Sequence, residues 1–461
     1  MDNLKLLLLA GGLSQFGLQS VVAKNDLPNI VFVLVDDMGI GDIGCYYEQK
    51  KIHTPNLNEW AAQSLQFMQH YSGSTVSAPS RCCLLTGKHT GHSYVRGNKA
   101  VQVEAGRFDL HLPEDEVTVA ELLKTKGYNT MCVGKWGLGG PGTSGSPIKQ
   151  GFDYFFGYLS QTDAHRYYPQ YLYENEEKIN LGGKVYSHWL IMEKGLDFIN
   201  KQTDEKPFFA YFAITPPHAD LDYPDLSEYE DSFEETPYIN NKGGFKSQAK
   251  PKAAYASMIT EIDKNVGMII ETLKKKGMWE NTIMIFSSDN GVHRVGGHNP
   301  DFFDSNGPFR GYKRDLYEGG IRTPFIVSWP KVIKKHRKVE LLSTFWDFMP
   351  TVCDIVGIDA PKNTDGISYL PTIKGKDKKQ KKHDFIYYEF YELGGKQAII
   401  KDGWKLLRLN VSKPKKLREE LYYLPDDIGE KNNIINENRK KADELRTLMK
   451  TAHTDSENFK F

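Results

Sequence analysis

The chain has 461 residues, 39% hydrophobic and 12% aromatic, enough for the core of one large domain and a smaller one. Lys+Arg and Asp+Glu both number 59, so the formal net charge is zero and no global field draws the chain to nucleic acid or an anionic membrane. Its five cysteines are irregularly spaced and offer neither a disulfide framework nor a zinc cluster.

In chain order, residues 1–23 read as a signal peptide, with a short apolar core at 6–10 and a cleavage site at Val21-Val22-Ala23. That core is too short to cross a bilayer, and no later segment is long or apolar enough. A periplasmic or secreted protein without stable membrane insertion is expected. Residues 30–35 (IVFVLV) follow as a buried strand, and 56–69 repeat apolar residues at helical spacing. In SAPSRCCLLTG (77–87), Pro79 suits a first helical turn, 81–86 continue the helix and Gly87 ends it. Ser77 then sits at a helix N-terminus, where free N–H groups and the dipole favour an anion. A plain helix-start serine and a nucleophile fit this pattern equally.

Helical periodicity returns at 117–126, ending at Gly127, at 187–200 and at 253–276, ending at Gly277. Between these lie strand-like runs at 130–133, 208–214, 282–286 and 325–328. The alternation predicts an α/β layered fold with a mostly parallel sheet. Residues 374–382 (KGKDKKQKK) carry six lysines and no apolar residue, and read as an exposed linker. It separates a large domain at 25–373 from a small α+β subdomain at 383–461. That subdomain has strand-like pieces at 385–391, 397–400 and 404–409 and a helical pattern at 437–452.

The strand ends carry the chemistry, because open α/β sheets bind ligands beyond the carboxyl ends of their strands. Residues 30–35 run into Asp36-Asp37, 282–286 into Ser287-Ser288-Asp289-Asn290, 130–133 into Gly134-Lys135, and 208–214 towards His218. If the strands are parallel neighbours, these side chains converge. Asp36, Asp37, Asp289 and Asn290 offer hard oxygen ligands, suited to Ca²⁺ or Mg²⁺. Lys135, His218 and Lys313 would add contacts to an oxyanion.

These stretches resemble the type I, formylglycine-dependent sulfatases of the alkaline phosphatase superfamily. SAPSRCCLLTG resembles that family's first signature, in which Cys or Ser precedes x-Pro-Ser-Arg, and YNTMCVGKWGLGG (128–140) resembles its second. VDDMGIGD (35–42), SSDNG (287–291), GYKRDLYEGGIRTP (311–324) and WDFMPTVCDIVGI (346–358) follow in family order. The resemblance implies an alkaline-phosphatase-like fold: a large, mostly parallel mixed sheet flanked by helices, plus a C-terminal subdomain with a short antiparallel sheet. It also implies that Ser77 is oxidised to formylglycine, whose hydrated aldehyde attacks the sulfur of a sulfate ester. Asp36, Asp37, Asp289, Asn290 and the modified Ser77 would ligate Ca²⁺. Arg81 would orient the formylglycine, and Lys135, His218 and Lys313 would bind the sulfate, with His218 or a lysine protonating the leaving alcohol. A serine precursor resembles the substrates of an oxygen-sensitive radical maturation enzyme and points to a bacterial source.

One position departs from the pattern. The second signature usually has a histidine two residues after its lysine, supporting the formylglycine, and here Gly137 stands there. His165 is the substitute considered. For the substrate, two loops combine aromatic and polar residues: KHTGHSYVRGNK (88–99), with His89, His92, Arg96 and Asn98, and QTDAHRYYPQYLY (161–173), with His165 and Arg166. These stretches resemble bacterial carbohydrate sulfatases named arylsulfatases, so a sulfated glycan, galactose-type, is the expected substrate. YYEFYELGGKQ (387–397) is expected to help close the pocket. Two other readings stay open: a phosphomonoesterase or phosphodiesterase of the same superfamily, recruiting His293 and His298, and a non-catalytic binder of sulfated glycans. The GxSxG and HExxH motifs are absent.

Overall fold

Strand β1 (Asn29–Val35) is buried at six of its seven positions, as its unbroken apolar run requires. The computed structural model describes residues 26–241 and 243–461, so the expected signal peptide lies outside the described residues. The chain continues through β2 (Leu65–Tyr71), the hairpin β3 (Ala100–Val103) and β4 (Gly106–Asp109), β5 (Asn129–Lys135) and β6 (Tyr154–Tyr158). Then come β7 (Tyr171–Glu174), β8 (Glu177–Asn180), β9 (Phe208–Ala213), β10 (Thr282–Ser288), β11 (Phe325–Ser328) and β12 (Arg337–Thr344).

All but the hairpin form one sheet in the order β12-β2-β11-β10-β1-β9-β5-β6-β7-β8. The five strands from β10 to β6 are parallel. β11 runs antiparallel to both β10 and β2, so the run at 325–328 belongs to the sheet but not to its parallel group. The large, mixed, mostly parallel sheet is the expected one. Side-chain alternation splits β1 between two cores. Val31, Val33 and Val35 pack with the helices Ser187–Lys201 and Pro251–Lys275. Ile30, Phe32 and Leu34 pack with the helices Ser77–Thr86, Val119–Lys124 and Phe348–Val356.

The expected helix at 56–69 is a correction. The helix covers only Pro55–Ala61, and from Leu65 the chain is β2. The apolar spacing fits both forms, but β2 completes the pairing between β11 and β12, and that tertiary pairing overrides the local pattern.

Beyond the linker stretch, whose turn Asp377–Lys379 is exposed, β13 (Ile386–Phe390), β14 (Lys396–Lys401), β15 (Trp404–Leu409) and β16 (Arg418–Tyr423) form the expected small antiparallel sheet. One face packs on Tyr71, Val76, Cys83 and Trp346, alongside the helix that begins at Ser77. The other lies under the helix Arg439–Ala452. A buried ion cluster locks this junction. Lys405 Nζ, wholly buried, lies 2.9 Å from Glu318 Oε1 and 2.8 Å from Glu430 Oε1. Glu318 also accepts from Tyr71 Oη and Arg322. Lys405→Met should cost about 3–5 kcal/mol, because two buried carboxylates lose their shared cation. A matching drop in the urea midpoint checks this.

Candidate active site

Strand register gathers the polar residues at one edge. Val35 pairs with Ser288 across β1 and β10, so the next residues, Asp36 and Asp289, lie side by side. Asp289 N–H donates to the Val35 carbonyl at 3.0 Å, and Asp37 N–H donates to Asp289 Oδ1 at 3.2 Å. Leu34, Ala213 and Gly134 are level across β1, β9 and β5. Lys135, one residue beyond Gly134, reaches over β9 to place Nζ 2.5 Å from Asp36 Oδ2.

The helix Ser77–Thr86 begins over this edge, and Gly87, at φ +70°, closes it with an N–H bond to the Cys83 carbonyl. Its N-cap is Val76, so Ser77 is the first helical residue and makes no capping bond. Instead Ser77 Oγ donates to Asp36 Oδ1 at 3.0 Å and accepts from Lys135 Nζ at 3.3 Å. The hydroxyl therefore faces the polar cluster and not the helix backbone. Arg81, one turn on and fully buried, ties three strand ends together. It donates to the Lys135 carbonyl at 3.0 Å, to Asp289 Oδ2 at 3.0 Å and to Asp36 Oδ2 at 3.5 Å.

Lys313 and His218 complete the cluster from loops. Lys313 Nζ donates to Asp37 Oδ2 at 2.7 Å, and His218 Nε2 lies 3.4 Å from the same oxygen. His218 Nδ1 donates to the Ala219 carbonyl, which fixes the tautomer and leaves Nε2 facing the cluster. Burial alone would raise Asp36, but Lys135, His218, Arg81 and Lys313 together hold its carboxyl well below the usual range. Burial and then Asp36 push Asp289 up to about 6. Burial lowers Lys135 despite Asp36, whereas Asp37 raises Lys313 against its burial. Burial, helped by Lys313, holds His218 well below the usual imidazole range.

Three buried carboxylates, Asp36, Asp37 and Asp289, thus crowd at one strand edge. Asn290 adds an amide whose Nδ2 donates to Asp37 Oδ1 at 2.7 Å and whose buried Oδ1 has no partner among the described residues. An all-oxygen set with mutually crowded carboxylates and an orphaned carbonyl oxygen fits a hard divalent cation.

Above the cluster opens a cavity of about 580 Å³, with Ser77, Lys135, His218 and Lys313 in its wall. Asn98 and His165 also line it, and the His165 ring lies flat on His218, centroids 4.5 Å apart. Arg96 and Arg166 do not line it. Arg96 is buried beneath the C-terminal segment, donating to the Thr454 carbonyl and approaching Glu389. Arg166 Nη1 donates to both carboxylate oxygens of Asp220, at 2.9 and 2.7 Å. His89 and His92 stack on each other and hold Asp365, away from the cavity wall. His298 stacks on Tyr255, and among the described residues the histidine grouped with the carboxylates is His218.

Asp109, Gln161, Arg294, Tyr312 and Arg314 also line the cavity, beyond the site residues expected from the sequence. Tyr312 and Arg314 flank Lys313, and that adjacency is the available signal.

Comparison with known proteins gives the chain a family. A family model described as "Sulfatase" matches residues 28–358, and one described as "N-sulphoglucosamine sulphohydrolase, C-terminal" matches 307–457. The N-acetylgalactosamine-6-sulfatase of Homo sapiens is 31% identical over 369 residues, covering 75% of this chain and 66% of that protein. The chain thus spans about two thirds of that relative's length. The N-acetylgalactosamine-6-O-sulfatase of Bacteroides thetaiotaomicron is 28% identical, with 93% of each chain covered. Among solved structures, Ps i-CgsB in complex with k-i-k-neocarrahexaose superposes with a TM-score of 0.75 at 25% identity, covering 92% of this chain and 93% of that one.

Proposed function

The chain belongs to the sulfatase family, and we propose that it is a sulfuric ester hydrolase acting on sulfated carbohydrates, galactose-type sugars foremost. The observation that carries this reading is the Ser77 hydroxyl, seated between Asp36 and Lys135 at the floor of a cation-lined cavity. Relatives named N-acetylgalactosamine-6-sulfatase and N-acetylgalactosamine-6-O-sulfatase, and a structural neighbour in complex with k-i-k-neocarrahexaose, support a carbohydrate substrate. So does the cavity wall, where Phe245 and Tyr312 offer faces for a sugar ring and Asn98, Asp109 and Thr162 offer partners for its hydroxyls.

In this reading Ser77 is a precursor, and formylglycine made from it by a radical maturation enzyme would supply a hydrated aldehyde as nucleophile. Asp36, Asp37, Asp289, Asn290 and the modified Ser77 would hold Ca²⁺, which supplies positive charge to an anionic oxygen. The chain's own side chains do the rest. Arg81 braces the strand ends beneath residue 77. The ammonium groups of Lys135 and Lys313 hold the sulfate oxygens, preorganised by the buried carboxylates. A lysine ammonium passes a proton to the departing alcohol oxygen, and His218 can do so only after taking a proton on Nε2, since its resting proton sits on Nδ1.

Among the described residues no helix is long and apolar enough to cross a membrane. We place the protein in the periplasm or outside the cell on the signal peptide read in residues 1–23.

The test is a panel of defined sulfated mono- and oligosaccharides, with aryl sulfate and aryl phosphate, offered to maturase-treated protein. Sulfate release from a galactose-type sugar is expected. Faster phosphate-ester cleavage would assign the phosphoesterase reading instead, and glycan binding without sulfate release would assign the binder.

A further inference from the structure

Gly137 stands where the family pattern has a histidine, and the structure shows what fills the space. The pairing of β5 with β6 continues past Lys135. Trp136 N–H donates to the Tyr158 carbonyl at 2.9 Å, and Gly137 N–H to the Leu159 carbonyl at 3.1 Å. Gly137 therefore lies against the segment that leads to Gln161. Gln161 is anchored in turn, its backbone N–H donating to Asp109 Oδ2 at 2.7 Å. A Cβ built on Gly137 would fall 1.7 Å from Gln161 Nε2 and 2.7 Å from its Cδ. The Gln161 carboxamide thus occupies the place where a side chain at 137 would begin. Gly137 is also at φ +76°, a conformation that disfavours any other residue.

Gln161 is 7% exposed and lines the cavity with Ser77 and Lys135. Its buried Nε2 has no hydrogen-bond partner among the described residues. A buried amide N–H without a partner is costly, and in a residue that lines a binding cavity a ligand accepting from it would remove that cost. His165, the other residue considered for this role, packs its ring on His218 and not on Gly137.

We infer that Gln161 is a substrate-contacting residue, donating Nε2–H to an oxygen of the sulfate group held above Ser77 from the space that a side chain at 137 would take. This rests on the reading of the cavity as a sulfate-ester site.

The test uses Gln161→Leu, which keeps the volume and removes the donor, with Gln161→Ala as a second variant should the first misfold. Calorimetric titration of inorganic sulfate into the unmodified Ser77 form reads binding without turnover. Maturase-treated protein, with the best ester of the panel, reads kcat/KM. Expected are a sulfate affinity at least about tenfold weaker and a kcat/KM lower by about 10²-fold, at an unchanged thermal midpoint. Variants that keep both values within about twofold of the parent protein overturn the assignment. If the parent protein itself neither binds sulfate nor releases it from any ester, the underlying reading of the cavity has failed, and the role of Gln161 falls with it.

Discussion

Ser77→Ala is expected to bring hydrolysis by maturase-treated protein down to background, a loss of about 10⁴-fold or more, as for other lost nucleophiles. The geometry explains why so small a change has so large an effect. Ser77 is the first residue of its helix, yet its hydroxyl satisfies no helical N–H and points to Asp36 and Lys135. Its structural worth is that of a hydrogen bond to charged partners, about 1.5–3 kcal/mol, so the thermal midpoint of so long a chain should move by only a few degrees. Loss of turnover with little loss of stability separates a reacting group from a cap. The unmodified parent protein is the second arm. A serine hydroxyl could attack sulfur but has no second hydroxyl with which to expel sulfate, so protein made without the maturase should turn over poorly. Mass spectrometry across the peptide containing Ser77 reads the oxidation as the loss of a hydrogen pair. Full turnover by protein whose Ser77 is intact would overturn the mechanism.

The parts of the fold and site that could be read from the sequence are those where a local pattern and a tertiary constraint coincide. An apolar run followed at once by polar residues, as in IVFVLV-DD or TIMIF-SSDN, marks a buried strand and what its end delivers. The parallel register then brings Asp36 beside Asp289. Where the two diverge, the reading stops. The apolar spacing at 56–69 is common to a helix and a strand, and only the neighbours β11 and β12 choose. Arg96 looked like a ligand for a sugar because its loop is polar. Its actual partners, Glu389 and Thr454, come from the C-terminal subdomain far along the chain. Asp109 and Gln161 meet through one long-range bond that no local pattern announces. Gly137 could be read only as an absence, because what replaces a missing side chain is set by packing.

Removing divalent cations should lower turnover by about 10²-fold or more, and adding Ca²⁺ should restore it, since oxygen ligands favour a hard cation and bound cations offset charge at the reacting oxygens. The same cation should be visible without catalysis. A ligand that binds only the folded chain stabilises it by about 2.7 kcal/mol at a hundred times its dissociation constant, so Ca²⁺ should raise the thermal midpoint of the unmodified Ser77 form. The reason lies in the crowding of Asp36, Asp37 and Asp289. All three are fully buried, and the charge of Asp36 is, after burial, the main cause of the raised Asp289. Arg81, Lys135 and Lys313 relieve this in part, but Asn290 Oδ1 still has no partner among the described residues. Asn290→Ala should therefore weaken the Ca²⁺-dependent shift. Asp37→Asn should weaken it more, because it removes a charge that also holds Lys313 and faces His218. A midpoint indifferent to both chelator and Ca²⁺, in a protein that still hydrolyses sulfate esters, would mean that the three carboxylates serve the lysines and Arg81 alone. In that case the positive charge at the reacting oxygens must come entirely from Lys135 and Lys313.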